Sequence, residues 1–345
     1  MSEITQKLDT VQSDLDKGKV KEALATLQKV LSLADRSKDP KERARVHYLL
    51  GKTQTRGGDM AEAAKELLKA LKMYEDIPDG YGMADTLLAL GVLHRWKSDF
   101  ATAEEFLDQF LDQASELGNQ EQIGQAHTEL GIVLAEKSEY PGAISHFKEA
   151  IDILKRTPNA YQLNRAYQSL GETYKRKGDY IQAFESLEEC IKVAEKLGLE
   201  RNIAYASASA AECLAKGAHV QRADRYIERA LSTFEKTKDD IGFSDALRVH
   251  AVVEWKKGEL AQAKALFQRA FDALKGKDIP TNEVLLRFDY AEFLLSTGEL
   301  EEAGTQADEA VKMARRLGVA GLEDRAWSIK NKAKAASKAT NRKDA

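Results

Sequence analysis

Proline is scarce, with 5 in 345 residues, so little in this chain interrupts a helix. Cysteine is scarcer still: Cys190 and Cys213 are the two present. One bridge would not hold an extracellular chain of this length, so a reducing cytoplasm is the expected setting. The opening stretch from Met1 to Lys7 has neither a basic nor an apolar targeting region. Nowhere is there a run of about 18 apolar residues, which excludes a helical membrane span. Neither sign of charge dominates: 52 Lys and Arg face 56 Asp and Glu, a net charge of −4. That balance gives no general attraction to nucleic acid or an anionic membrane. No phosphate-cradling glycine loop, GxSxG elbow, HExxH pair or CxxC is found. Gly80-Tyr81-Gly82 lacks both a third glycine and a preceding strand. The sequence therefore predicts no enzyme, no cofactor and no metal.

What the chain does have is periodicity. Hydrophobic residues make up 43% and charged residues 31%, a composition suited to solvated helices around a continuous core. Gly51, Gly91, Gly131 and Gly171 are spaced by 40 residues, and Ala211, Ala251 and Ala291 continue the series. A second register runs Ala23, Ala63, Ala103, Ala143, Ala183, Ala223, Ala263 and Ala303 without a slip. Small residues in two fixed phases mark places where two helix backbones approach closely. The repeating unit is then a helix, a turn and a second helix.

The turn has its own phase, filled by Gly18, Gly58, Gly178, Gly258 and Gly298, with Ser98, Ser138 and Ala218 in the other copies. Glycine there ends a helix in the left-handed conformation. An acid usually follows (Asp59, Asp99, Glu139, Asp179, Glu259, Glu299), placed to cap the second helix. A large apolar residue comes next, among them Met60, Phe100, Tyr140, Tyr180 and Val220. Pro141 falls at the start of a second helix, Pro78 and Pro158 at the ends of second helices, and Pro40 and Pro280 in linkers. None interrupts a predicted helix.

The stretch Tyr167-x2-Leu170-Gly171-x2-Tyr174, followed by Ala183-x3-Leu187, resembles the tetratricopeptide repeat, in its longer variety of about 40 residues. The resemblance implies an all-α, right-handed superhelical solenoid of antiparallel helix pairs, about 7 to 8 repeats with a C-terminal capping helix. A single solenoid is expected over 1–320, with repeats near 5–38, 41–78, 81–118, 121–158, 161–198, 201–238, 241–278 and 281–318. A capping helix over 321–338 and a tail over 339–345 complete it. The first copy reads as truncated, its first helix shortened to Asp9–Asp16.

In such solenoids the first helices line a concave groove that holds another protein or a peptide. The phases facing that groove carry Arg45, Tyr48, Lys52 and Arg56, then Leu88, Val92, Arg95, Trp96, Thr128 and Ile132. Later copies supply Arg165, Gln168, Lys175, Arg176, Tyr205, Lys216, Arg248, Trp255 and Lys256. Acids interrupt the series at Asp85, Glu136, Glu172, Glu212 and Asp245. The expectation is a basic and apolar groove for a segment carrying acids beside apolar anchors. An alternative is a regulatory solenoid that senses a signalling peptide or small ligand. The phase in which chaperone-binding members place asparagine holds Lys52, Val92, Ile132, Glu172, Glu212, Val252 and Glu292, so that clamp is not expected. Pairing with a second copy is a further route, whereas nucleic acid is disfavoured. His47 and His127 share one phase and read as packed rings, and Cys190 reads as a small hydrophobe.

Overall fold

The two registers become α-helices throughout a computed structural model that describes residues 3–34, 39–217, 219–277, 279–317, 327–332 and 334–335. No strand occurs among the described residues. Helix α1 (Glu3–Asp16) pairs with α2 (Val20–Ala34), α3 (Pro40–Gly57) with α4 (Met60–Glu75), and α5 (Gly80–Trp96) with α6 (Phe100–Glu116). The fourth pair is α7 (Gln120–Glu136) with α8 (Tyr140–Leu154). Then come α9 (Ala160–Lys177) and α10 (Tyr180–Leu197). The last three pairs are α11 (Glu200–Lys216) with α12 (Asp224–Thr237), α13 (Asp240–Lys257) with α14 (Leu260–Leu274), and α15 (Pro280–Thr297) with α16 (Leu300–Leu317). The helices gather into two compact units, residues 1–173 and 174–345, and the division falls inside α9.

The small-residue phases do what their spacing implies. A Cβ on Gly51 would sit 2.6 Å from Leu67 Cγ and 2.9 Å from the carbonyl oxygen of Ala63. Gly91 meets Leu107 and Gly131 meets Phe147 in the same way. The alanines of the second register, from Ala23 to Ala303, are fully buried, as are Ala211, Ala251 and Ala291. In the turn phase Gly58 has φ 86°, and Ser98 and Ser138 adopt the same left-handed conformation at 58° and 64°. Ala218 lies outside the described residues.

Four local expectations need correction. Helix α1 is not short, because Ile4, Leu8, Val11 and Leu15 form one buried stripe that keeps the whole segment helical. Pro40 and Pro280 are the first residues of α3 and α15 rather than linker residues, and that position costs no hydrogen bond. Val220 does not start a second helix: Val220–Arg222 form a 3₁₀ turn, and α12 begins at Asp224. His219 stands where the other copies place an acid, and the helix starts later, with Asp224 in its first turn. Finally, side-chain caps belong mainly to first helices. Asp39, Asp79, Asn119, Asn159 and Asp239 each accept a backbone N–H from the first turn that follows. Of the acids expected to cap second helices, Asp59 does so, accepting from Glu62 N–H at 3.3 Å.

At the C-terminal end, residues 327–332 are helical, and Ile329 is buried against Val284, Phe288, Ala310 and Val311 of α15 and α16. The rest of the expected capping segment, 321–326, 333 and 336–338, and the tail lie outside the described residues. Among the described residues no helix is long and apolar enough to cross a membrane.

Candidate functional site

Within each unit, neighbouring first helices touch: α3 with α5, α5 with α7, α11 with α13 and α13 with α15. Among the described residues no second helix touches another second helix. The layer whose members meet is the inner layer of a curved stack. The first helices thus provide an inner face in each unit.

In the first unit that face is apolar at its centre. Leu88, Val92 and Trp96 follow one another at i, i+4 and i+8 along α5, so they share one side of the helix. Leu88 packs partly into the core beside Leu107 and Leu130. Trp96 remains 48% exposed. Ile132 occupies the Val92 phase on α7 and is half-buried. Tyr48 and Lys52 lie on α3, the ammonium 5.4 Å from the centre of the phenol ring.

The cations of this unit are largely engaged with the chain itself. Arg45 reaches Asp9 at 3.4 Å, and Arg95 holds Glu136 at 2.7 Å. Arg165 holds the buried Glu129 at 2.5 Å. Arg56 donates to the carbonyl of Leu15 at 3.1 Å. Gln168 is half-buried, and Thr128 turns away from the groove to donate to the carbonyl of Gly124 at 2.8 Å.

In the second unit the inner face centres on a buried charge network. Arg248 of α13 donates to Asp289 of α15 and reaches Glu212 of α11 at 3.4 Å, while its Nε donates to Asp245 at 2.9 Å. Glu212 also accepts from Lys216 at 2.6 Å and faces Lys175 at 3.5 Å. Burial alone would raise the Glu212 pKa, but Arg248, Lys175 and Lys216 more than offset it, and the carboxyl sits well below its ordinary range. Lys175, Lys216 and Arg248 are therefore balanced by Glu212, Asp245 and Asp289 rather than presented to a ligand. Tyr205 turns its hydroxyl to Asp239 at 3.0 Å. Trp255 packs edge-on against Phe293 with Lys256 over its face at 3.9 Å. Arg176 and Lys256 are exposed.

The spacing of this chain does not show which of these residues neutralise each other. A cavity of about 260 Å³ opens where the 3₁₀ turn replaces the start of a second helix. Ile181, Phe184, Leu214 and Arg222 are among its lining residues. Among the described residues no group of three or more His, Cys, Asp or Glu side chains could hold a metal ion. Cys190 and Cys213 are buried free thiols.

Models of the tetratricopeptide repeat match residues 8–79, 82–156, 165–197 and 248–318. The chain is a tetratricopeptide-repeat protein. Solved structures of this fold match it nearly end to end. The apo form of RapI covers 98% of this chain and 99% of its own, at TM-score 0.69 and 14% identity. A Rap protein complexed with competence and sporulation factor covers 97% and 99%, at TM-score 0.59 and 14% identity. The apo quorum sensor NprR from B. thuringiensis covers 96% and 98%, at TM-score 0.60 and 18% identity. No curated protein sequence matches the chain. As a tetratricopeptide-repeat solenoid, the protein presents its inner first-helix face as the candidate site.

Proposed function

We propose that this protein is a non-catalytic interaction module that receives an extended segment of another protein on the inner face of its first helices. The observation that carries this reading is the exposed Trp96 at the end of the Leu88–Val92–Trp96 row. Tryptophan is the residue most often found as an interface anchor, and burying its exposed half releases water from a large apolar surface. Apolar anchors of the partner meet this row in the first unit. The preference for acidic residues, taken on the second unit by itself, rests on the exposed Arg176 and Lys256. Lys175, Lys216 and Arg248 contribute less, because each already faces a carboxylate.

A second reading is a regulatory solenoid that takes a signalling peptide or small ligand on the same face and acts through a separate protein. The end-to-end likeness to a Rap protein bound to a signalling factor and to a quorum sensor favours it. Ligand binding would then change the pitch of the helix stack.

The test uses the full chain as bait in its own cell lysate beside two variants, Trp96→Ala and the pair Arg176→Glu with Lys256→Glu. Lys216 is left alone, since an acid there would face the buried Glu212. A partner kept by the parent and lost by Trp96→Ala supports the inner-face reading. A partner held equally by the parent and both variants overturns it. Small-angle scattering with each captured ligand separates the two readings: a changed profile favours the regulator, an unchanged one the scaffold.

A further inference from the structure

Where the α11–α12 pair lacks the first turn of its second helix, the preceding second helix changes as well. The phase of Ile181 holds Ala61, Ala101, Pro141 and Ala261 in other pairs. The phase of Phe184 holds Leu24, Ala64, Glu104, Ile144 and Lys264, none of them aromatic. Both positions on α10 therefore carry a larger apolar side chain in the copy that precedes the 3₁₀ turn. Phe184 is buried edge-on against Tyr226 of α12, the ring centres 5.6 Å apart. Ile181 stays uncovered at 60% exposure, more than Trp96. The enlarged side chains do not fill the gap: the cavity of about 260 Å³ remains, with Ile181, Phe184 and Leu214 as apolar walls. A dry cavity of about 150 Å³ accommodates benzene, so this one has room for a ring with a short chain.

The rim is charged, and its charges are unequally engaged. Glu188 accepts from the Tyr226 hydroxyl at 2.7 Å and lies 3.5 Å from Arg225. Glu185 accepts from the Gln182 amide at 3.0 Å. Among the described residues Arg222 has no carboxylate within ion-pair distance, and its guanidinium lies 4.9 Å from the centre of the Phe184 ring. A guanidinium over a ring uses its face, and its N–H fork stays available to an acceptor. The phase of Arg222 holds Glu62, Thr102, Gly142, Gln182 and Gln262 in other pairs, so this cation is peculiar to the copy with the cavity.

We propose that the cavity binds a small apolar carboxylate, its ring or branched chain seated on Ile181, Phe184 and Leu214 and its carboxylate taken by the Arg222 fork. The site goes beyond the inner-face reading, since most of its walls come from the second helix α10 and the 3₁₀ turn. Covering Ile181 removes apolar surface from water, and a guanidinium meets a carboxylate through two parallel hydrogen bonds. An amine in place of the carboxylate would be repelled by Arg222. A second carboxylate would meet Glu185 and Glu188, which also line the cavity. A free acid and the last residue of a peptide chain offer the same chemistry.

The experiment follows the isoleucine and leucine methyl signals of the full chain by NMR during titration with 3-phenylpropionate. A dissociation constant of roughly 0.1–1 mM is expected for a ligand of this size. The Ile181 and Leu214 methyl signals should shift, while those of Ile241 and Leu260, exposed elsewhere in the second unit, should not. Arg222→Gln should weaken binding about tenfold, and phenethylamine should not bind. Arg222 is exposed, and its loss removes no packed side chain from the core. A capped tripeptide ending in phenylalanine is titrated in parallel. Tighter binding of the peptide identifies a chain end as the ligand, tighter binding of the free acid a small molecule, and either supports the site. No shift at several millimolar ligand would overturn the proposal. Equal binding by parent and Arg222→Gln, or of acid and amine, would overturn it as well.

Discussion

Arg248 Nη2 lies 3.4 Å from Glu212 Oε2, and these side chains, from neighbouring first helices, are 5% and 7% exposed. The same guanidinium donates to Asp289 of the next first helix, which is 2% exposed. One arginine therefore joins three consecutive repeats through charges that water does not reach. Burying such charges costs about as much as their attraction returns, so their value lies in fixing how the three helices meet. Removing one partner is another matter. Arg248→Met takes the guanidinium from the buried Glu212 and Asp289, leaving Glu212 to Lys175 and Lys216, and is expected to destabilise the protein by about 3–5 kcal/mol in urea unfolding. Adding Asp289→Leu to it should restore part of the loss, with Glu212 kept because Lys175 and Lys216 face it. A single-variant cost below about 1 kcal/mol would show that the network is solvated.

The same network sets a pH dependence. Burial raises the Glu212 pKa, and the charges of Arg248, Lys175 and Lys216 lower it further than burial raises it. Its folded pKa is thus below the unfolded value of about 4.3. Such a carboxyl takes up a proton more readily in the unfolded chain. Its stabilisation is present above the unfolded pKa and is lost as the pH falls toward the folded one. Glu66 is shifted in the same direction: burial opposes its ionisation, and hydrogen bonds from Lys69 and His47 outweigh burial. Urea midpoints should change little from pH ~7 to pH ~5 on account of these groups and fall progressively below about pH 4. Glu212→Gln, less stable at neutral pH, should show a shallower fall. An identical acid slope in parent and variant would exclude Glu212 as a source of it.

The fold was legible because a close helix approach admits only Gly or Ala, and this demand recurs every 40 residues at Gly51, Gly91 and Gly131. The charge state of the inner face was not. Arg95–Glu136, Arg165–Glu129 and Arg248–Asp289 join neighbouring first helices at separations of 36 or 41 residues, one repeat less about a turn or one repeat and a residue. Each arginine looks available when its helix is considered alone and is neutralised once the adjacent repeat is placed beside it. The 3₁₀ turn at Val220 left a fainter trace, the replacement of an acid by His219. The capping register at Asp39, Asp79, Asn119, Asn159 and Asp239 was present in the sequence at the repeat spacing, just ahead of the first helices.

That register makes a direct prediction. Asn119 accepts from the N–H of Gln122 at 3.2 Å, and its amide donates to the Gln122 side chain at 3.0 Å. Asn119→Ala is expected to cost about 1 kcal/mol, the usual value of a helix N-cap. Glu139 precedes α8 without a side-chain bond to it, and its pairing with Lys137 is exposed. Glu139→Ala should change stability by no more than about 0.5 kcal/mol. Urea midpoints of the two variants check the ordering, and equal losses would mean that second helices are capped as strongly as first ones.

Two glycines with opposite surroundings give the last prediction. A methyl group on Gly51 would fall 2.6 Å from Leu67 Cγ and 2.9 Å from a backbone oxygen of α4, neither of which retreats without moving the helix. Gly51→Ala should therefore push α3 and α4 apart and cost about 1–3 kcal/mol, the range of an overpacked core. Gly304 lies inside α16, and nothing comes within 4 Å of the Cβ it would gain. Gly304→Ala removes backbone freedom from the unfolded chain without a clash and should stabilise by roughly 0.5–1 kcal/mol. The same substitution thus has opposite signs at two helical positions, decided by whether a partner helix is in contact. Thermal or urea unfolding of the two variants measures both signs. A stabilising Gly51→Ala would mean that the glycine register reflects something other than close approach of the paired helices.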